Sequence, residues 1–169
     1  GHQNIFWAKG YEADDVLASL VRYSIRDNDE VVIVSSDHDL YQMLSDRVSM
    51  WLPHKQVMYH HADLIYQYGV EAECWPSVMA TAGCPGDGVI GVAKVGLKTA
   101  CKFYRDELPA KHKTFQAIQQ AGELIGKNLP LVTLPYHGCP RFKLVKDDCT
   151  AAKWRAVCKE LGFDSLLRD

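Results

Sequence analysis

The chain has 169 residues, 47% of them hydrophobic, and a formal net charge of −2. That length suits one domain, or one domain with a small appendage, and the apolar share is enough for a core. No apolar run reaches membrane-spanning length and no secretory h-region stands at the start, so a cytoplasmic protein without a membrane partner is expected, while the bulk charge argues mildly against a simple basic nucleic-acid binder.

In chain order, Glu12 to Asp27 reads as a helix. Leu17, Leu20, Val21 and Ser24 fall on one face with Val16 beside them, and Asp14 and Asp15 stand in the first turn, where the helix dipole favours negative charge. Asp27-Asn28-Asp29 reads as a turn. Glu30 to Ser36 is β-branched and almost continuously apolar, as a buried parallel strand should be, and Asp37-His38-Asp39 follows directly. Leu40 to Leu44 reads as a short helix, then Val48 to Leu52 and Gln56 to Tyr59 as strands around Pro53-His54-Lys55. This alternation predicts an α/β fold with a parallel sheet and ligands beyond the strand C-termini.

The second half reads as helical over Ala62 to Tyr68, Ala72 to Ala82, Leu97 to Leu108, Thr114 to Ile125 and Ala151 to Leu161. Gly83 to Gly96 is too rich in glycine for a regular element. A soft boundary is placed near residue 70, dividing 1–70 from a helical subdomain at 71–169.

Charge is unevenly spread. Residues 1–50 hold nine acids against four Lys and Arg, while residues 88–105 hold Lys94, Lys98, Lys102 and Arg105 and no acid. Glu12 and Asp15 are three apart and share a helix face; Asp37 and Asp39 are two apart beyond a strand. Such a cluster repels itself unless hard divalent cations with oxygen ligands neutralise it, which points to Mg²⁺ or Mn²⁺. Two ions about 3.5–4 Å apart clamp the attacking and leaving oxygens of a phosphoryl transfer. Taken singly, Asp14 or Asp29 reads as a cap or turn residue; the EADD set followed by DxD carries the metal reading. Spacing alone leaves a phosphatase-like DxD site open.

Gly91-Val92-Ala93-Lys94-Val95-Gly96-Leu97-Lys98-Thr99-Ala100 lies between two helices. Its glycines permit a tight turn, the helix from Leu97 presents N–H groups to a phosphate, and the lysines add charge. A P-loop would need Lys at position 97, which is leucine, and a preceding strand. An ordinary glycine turn between packed helices is the other rival.

The cysteines at positions 74, 84, 101, 139, 149 and 158 include no CxxC pair, so reduced thiols are expected rather than a zinc ribbon. His54, His60 and His61 lack acids at ligand spacing and read as an exposed turn. His38 reads equally as a phosphate contact or a solvent-facing spacer. Trp51, Trp75 and Trp154 read as packing residues, as does Tyr11, and Lys111-His112-Lys113 as a solvated loop.

Gly10-Tyr11-Glu12-Ala13-Asp14-Asp15 resembles the GYEADD motif of bacterial and phage 5′-nucleases, and of the DNA polymerase I 5′-nuclease domain in particular. Asp37-His38-Asp39-Leu40-Tyr41-Gln42-Met43-Leu44 is similar to that family's DxDLYQLL segment, Tyr68-Gly69-Val70 to its YGV step, and Gly91 to Ala100 to its GVxGIGxKTA hairpin. Phe163 to Leu167 resembles the closing helix.

The resemblance implies a PIN-like α/β core with a helix-hairpin-helix subdomain. It implies a metal-dependent 5′-3′ exonuclease or flap endonuclease acting as a monomer on DNA ends, flaps and nicks in replication and repair. Glu12, Asp14 and Asp15 would serve the first metal, Asp37 and Asp39 the site between or beside two ions, and Asp87 the second, with Asp15 and Asp37 in the catalytic role. Gly91, Val92, Lys94, Gly96, Lys98 and Thr99 would contact DNA, with K⁺ held on hairpin carbonyls.

Two departures stand out. Gly83 to Gly88 resembles the family's GDxxDN, but Cys84 replaces its first aspartate and Gly88 its asparagine, which weakens the second metal site because a thiol binds Mg²⁺ poorly. The family's first strand, further acids and helical arch do not precede Gly10. The start is therefore read as a truncation, with Gly1 and His2 as tag residues, and weak or absent activity is expected of the isolated chain. A catalytically impaired DNA-binding module is the alternative.

Overall fold

The structure, a computed structural model, describes residues 2–23, 26 and 29–167. Helix α1 (Ala13–Tyr23) follows a turn at Gly10, whose φ of +86° an L side chain rarely adopts. Ser24 and Asp27, assigned to this helix from sequence, lie outside the described residues, as do Asp27 and Asn28 of the expected turn. Asp29 closes a local loop by donating its N–H to the Arg26 carbonyl and accepting the Arg26 N–H on its carboxylate.

Strand β1 (Val31–Val34) pairs parallel with β2 (Val48–Leu52), Ile33 lying opposite Met50. Between them a 3₁₀ helix at His38–Met43 makes the crossover. Strand β3 (Val57–Tyr59) returns antiparallel to β2 through a turn in which Gln56 has φ of +53°. The sheet order is β1-β2-β3, so the sheet is mixed rather than parallel as expected. The reason is local: a short turn at Pro53 to Gln56 can join only antiparallel neighbours, because a parallel return needs a crossover of a dozen residues or more. The buried strand is also half right. Ile33 is buried, but Val32 and Val34 are 53% and 64% exposed, because β1 is an edge strand with one face uncovered among the described residues.

Helix α2 (His61–Tyr68) ends on Gly69 in the left-handed region at φ +69°, with the Gly69 N–H donated to the Ile65 carbonyl. Helix α3 (Trp75–Ala82) then runs into a stretch that sequence marked as irregular. It contains two short strands, β4 (Gly83–Cys84) and β5 (Val89–Ile90), paired antiparallel around a 3₁₀ turn at Pro85–Asp87. Glycine is what permits this: a Cβ on Gly91 would meet the Ala82 carbonyl oxygen at 2.1 Å, so the backbone passes where no side chain fits.

Helix α4 (Leu97–Tyr104) stops short of Leu108, since Asp106 turns left-handed at φ +58°. The single helix expected over Thr114 to Ile125 is two, α5 (Lys113–Gln120) and α6 (Gly122–Val132), broken at Ala121 beside a residue of poor helix propensity, Gly122. Helix α6 carries Pro130 in its last turns. An extended stretch leads to α7 (Ala151–Glu160) and a closing 3₁₀ turn at Asp164–Leu167.

The core is continuous from Ala18 to Leu134. Trp75 is its centre, fully buried, with Tyr68 edge-on at 4.9 Å and Tyr41 at 5.4 Å between ring centroids; Tyr41 stacks in turn on Tyr59. Trp154, expected to pack, is 51% exposed on α7. All six cysteines are unpaired. Residues 3–6 lie along 142–147: the Asn4 side chain donates to the Val145 carbonyl and accepts its N–H, and Phe6 meets Phe142. Among the described residues no helix is long and apolar enough to cross a membrane.

Candidate metal centre

Beyond the C-terminal end of β1, three segments distant in sequence converge. The Gly10 turn and first turn of α1 bring Glu12, Asp14 and Asp15; the loop after β1 brings Asp37 and Asp39; the β4–β5 hairpin brings Cys84 and Asp87. Together with Val89, Leu131, Val132, Leu134 and Tyr136 they line one cavity of about 330 Å³. All six acids expected to hold metal thus share a single cleft.

They are not equivalent. Asp15 is buried, and both of its oxygens accept backbone N–H groups, Oδ1 from Tyr136 at 2.6 Å and Oδ2 from Glu12 at 3.2 Å. Its immediate work is to pin the 136 segment to the helix. Asp14 Oδ1 accepts the Asp15 N–H. Asp37 caps the 3₁₀ helix by accepting the Asp39 N–H on Oδ1, and its own N–H is donated to Ser35 Oγ. That leaves Asp37 Oδ2 without a hydrogen bond among the described residues.

The electrostatics report crowding. Burial pushes the Asp39 carboxyl up to about 6, and the charges of Asp37, Asp87, Asp14 and Glu12 push the same way. Asp14 is raised by burial, partly offset by the Asp15 N–H, with Asp15, Glu12 and Asp37 adding to the rise. Burial lifts the Cys84 thiol to about 11, with Asp39, Asp87 and Asp37 reinforcing it. A set of acids that raise one another's pKa in a cleft is electrostatically unsatisfied without counter-charge. Carboxylate oxygens fit a hard divalent ion; Cys84 does not.

Some supports were not visible as functional residues in the sequence. Buried Gln42 donates through Nε2 to the Asp39 and Val132 carbonyls, at 2.8 and 3.0 Å, and accepts the Leu134 N–H at 2.8 Å. It thereby ties the DxD loop to the cavity's far wall. Buried Asn128 donates to the Ala80 and Ile90 carbonyls and holds the β4–β5 hairpin to α3. Trp75 Nε1 donates to the His38 carbonyl. In sequence Gln42 shows only as a lone amide within the apolar run Leu40 to Leu44, and Asn128, directly after Lys127, stands out not at all. His38 does not line the cavity; its ring stacks on Tyr41 at 4.9 Å. His61, read as part of an exposed turn, is paired with Glu71 at 2.9 Å.

The glycine hairpin lies after β5. A turn closed by the Val95 N–H to the Val92 carbonyl puts Lys94 at its tip, exposed, with φ of +63°. Val92 and Val95 are buried, so Val92 could offer a ligand only its backbone. Gly96 precedes α4 and its carbonyl accepts the Thr99 and Ala100 N–H groups, leaving the first-turn N–H groups of Leu97 and Lys98 without an intrahelical acceptor. Lys98 and Lys102 are exposed one turn apart. Gly91 is half-buried against Ala82, and Thr99 is half-buried on α4.

Carboxylates brought together by the start of α1, the loop after β1 and the β4–β5 hairpin make an oxygen-rich cleft on an α/β fold, a donor set that would suit a divalent cation. The family described as 5′-3′ exonuclease, N-terminal resolvase-like domain matches residues 2–69. The thermostable DNA polymerase I of Thermus thermophilus is 39% identical over 111 residues, covering 66% of this chain and 13% of the polymerase. The flap endonuclease of Escherichia phage T5 is 32% identical over 155 residues, covering 85% of this chain and 53% of that protein. A structure of the T5 flap endonuclease in a pseudo-enzyme–product complex with DNA and metal ions superposes with a TM-score of 0.68 at 31% identity, covering 77% of this chain and 52% of that one. The T5 5′-exonuclease has also been solved with divalent metal ions, zinc, bound. The chain belongs to the 5′-nuclease superfamily, and its fold is the PIN-like α/β type. It spans about half the length of the T5 nuclease and a small fraction of the polymerase.

Proposed function

We propose that this chain carries the metal-binding carboxylates and the DNA-backbone hairpin of a divalent-metal-dependent 5′-3′ exonuclease or flap endonuclease. The observation that carries this reading is the convergence of Glu12, Asp14, Asp15, Asp37, Asp39 and Asp87 on one cavity. Bound Mg²⁺ or Mn²⁺ would supply activated water and charge stabilisation at the leaving oxygen.

The chain's own residues do the rest. Glu12, Asp14 and Asp37 offer oxygens to one ion, and Asp39 and Asp87 offer theirs beside it. Asp15, Gln42 and Trp75 hold those loops in place. Lys94 and Lys98, with the α4 N-terminus, engage phosphates without reading bases, and the hairpin carbonyls would take K⁺. Hydrolysis at a 5′ end would leave a 5′-phosphate and a 3′-hydroxyl. The division near residue 70 then leaves five of the six metal carboxylates in the first part and the DNA-gripping hairpin in the second, with Asp87 reaching back across it, and a cytoplasmic monomer acting in replication and repair is the setting that fits.

The test is cleavage of a 5′-labelled flapped duplex in Mn²⁺. Slow cleavage that disappears in Asp37→Ala is expected, with weaker Mn²⁺ binding in Asp37→Asn and Asp39→Asn. Cys84 favours a second reading, a catalytically impaired DNA-binding module. Duplex binding without cleavage selects that one, and Mn²⁺ binding unchanged in both Asn variants removes the metal site.

A further inference from the structure

The donors in the cavity are of two chemical kinds. Glu12, Asp14 and Asp37 are oxygen donors only. So are Asp39 and Asp87, but they share their corner of the cavity with a thiol: two carboxylate oxygens and the Cys84 sulfur lie within 4.8 Å of one another. Cys84 is 7% exposed, lines the same cavity, and its sulfur has no hydrogen bond among the described residues. A buried thiol that faced only apolar side chains would be an inert small hydrophobe. Here it faces carboxylates.

Mg²⁺ demands six oxygens in near-octahedral order and gains little from sulfur. A zinc-class ion takes a thiolate at about 2.3 Å and carboxylate oxygen at about 2.0–2.2 Å, in fewer-coordinate geometry that leaves room for water. With one oxygen from each acid and one sulfur, the trio matches the three-protein-ligand count of an open zinc site.

We propose that Asp39, Cys84 and Asp87 form a mixed sulfur–carboxylate site for a thiophilic divalent cation of the zinc class, with an open position toward the cavity. It deepens the nuclease reading, from which it takes only the identity of the cleft. Binding replaces the thiol proton by the metal, and that proton leaves to solvent. The hairpin supplies two of the three ligands, so its conformation becomes linked to which metal is bound. Asn128, which ties Ile90 to Ala80, holds that hairpin in register.

Co²⁺ is the probe, because a thiolate ligand gives it a charge-transfer absorption in the near ultraviolet that carboxylates do not. A second sulfur-bearing cluster, exposed His2 and Cys149 with Asp147, is silenced first with Cys149→Ser. In that background we expect the band to saturate at a single ion per chain. Zn²⁺ or Cd²⁺ should displace it and a large excess of Mg²⁺ should not. Adding Cys84→Ser should abolish the band and weaken Zn²⁺ at least about 10-fold.

Cys84→Asp should trade the band for tighter Mn²⁺ binding. Absence of the band in the Cys149→Ser chain, or its survival in the chain lacking Cys84, overturns the proposal. The first of these outcomes requires no change at Cys84, so misfolding of a Cys84 variant cannot hide it. Mn²⁺ binding sensitive to Asp37→Asn with no cobalt band leaves the nuclease reading intact and sinks this one; a cobalt band with Mn²⁺ binding indifferent to Asp37 does the reverse.

Discussion

Asp39 combines burial with four acidic neighbours, and its carboxyl is pushed up to about 6. Between its ordinary 3.8 and that value the folded, metal-free protein holds a proton that the unfolded chain has released. Stability of the metal-free protein from this group therefore falls as pH rises through that window and is regained as pH drops. Urea denaturation in EDTA should show this slope, and Asp39→Asn should flatten it; an unchanged slope in the variant would assign the effect elsewhere. Gln42 is the other residue whose removal should be felt. Gln42→Ala strands the Leu134 N–H and two carbonyls, which should cost about 1–3 kcal/mol at unchanged m-value, with Mn²⁺ binding weakened as the DxD loop loosens. The EADD and DxD acids were legible in sequence because several carboxylates recur there at short spacing, whereas Asp87 was placed by the family resemblance alone. Gln42 and Asn128 were not legible, because their work is to satisfy carbonyls brought near only by the fold.

Helices and strands divide along the same line. The α1 helix, β1, β2, β3 and α2 could be read from apolar periodicity and turn residues. The β4–β5 hairpin could not: two-residue strands have no period, and what creates them is the close approach of Gly83 and Gly91. Whether β3 ran parallel or antiparallel was set by the length of the turn before it rather than by the strand itself. The α4 helix and its preceding turn carry the prediction about DNA. Lys94→Ala and Lys98→Ala should each weaken duplex binding about equally for all sequences and lower the slope of log K against log salt by about 1. Fluorescence anisotropy over a salt series measures both, and an unmoved affinity would leave the hairpin as a packing element. Because Val92 and Val95 are anchored in the core, neither lysine substitution should alter the melt.

Across the whole molecule, a modest net charge conceals a strong polarity: acids gather around the cleft while lysines mark the helical half. One core runs beneath both, with Trp75 joining them through the His38 carbonyl. The composition gave the possibility of such a core, but the half-open face of β1 follows only from where the other elements pack. The cavity's walls are also far apart along the chain. The Asp15–Tyr136 and Ser19–Pro140 hydrogen bonds each bridge 121 residues, and Gln42–Leu134 bridges 92. Closing such long loops costs entropy before any contact rewards it, so these ties form late. A chain made from its N-terminus exposes the EADD and DxD acids to solvent well before the stretch that shuts over them exists. The proposed cation donors all lie between Glu12 and Asp87, so uptake of an ion would not have to wait for that stretch, and the late-arriving wall would shut over a site already assembled.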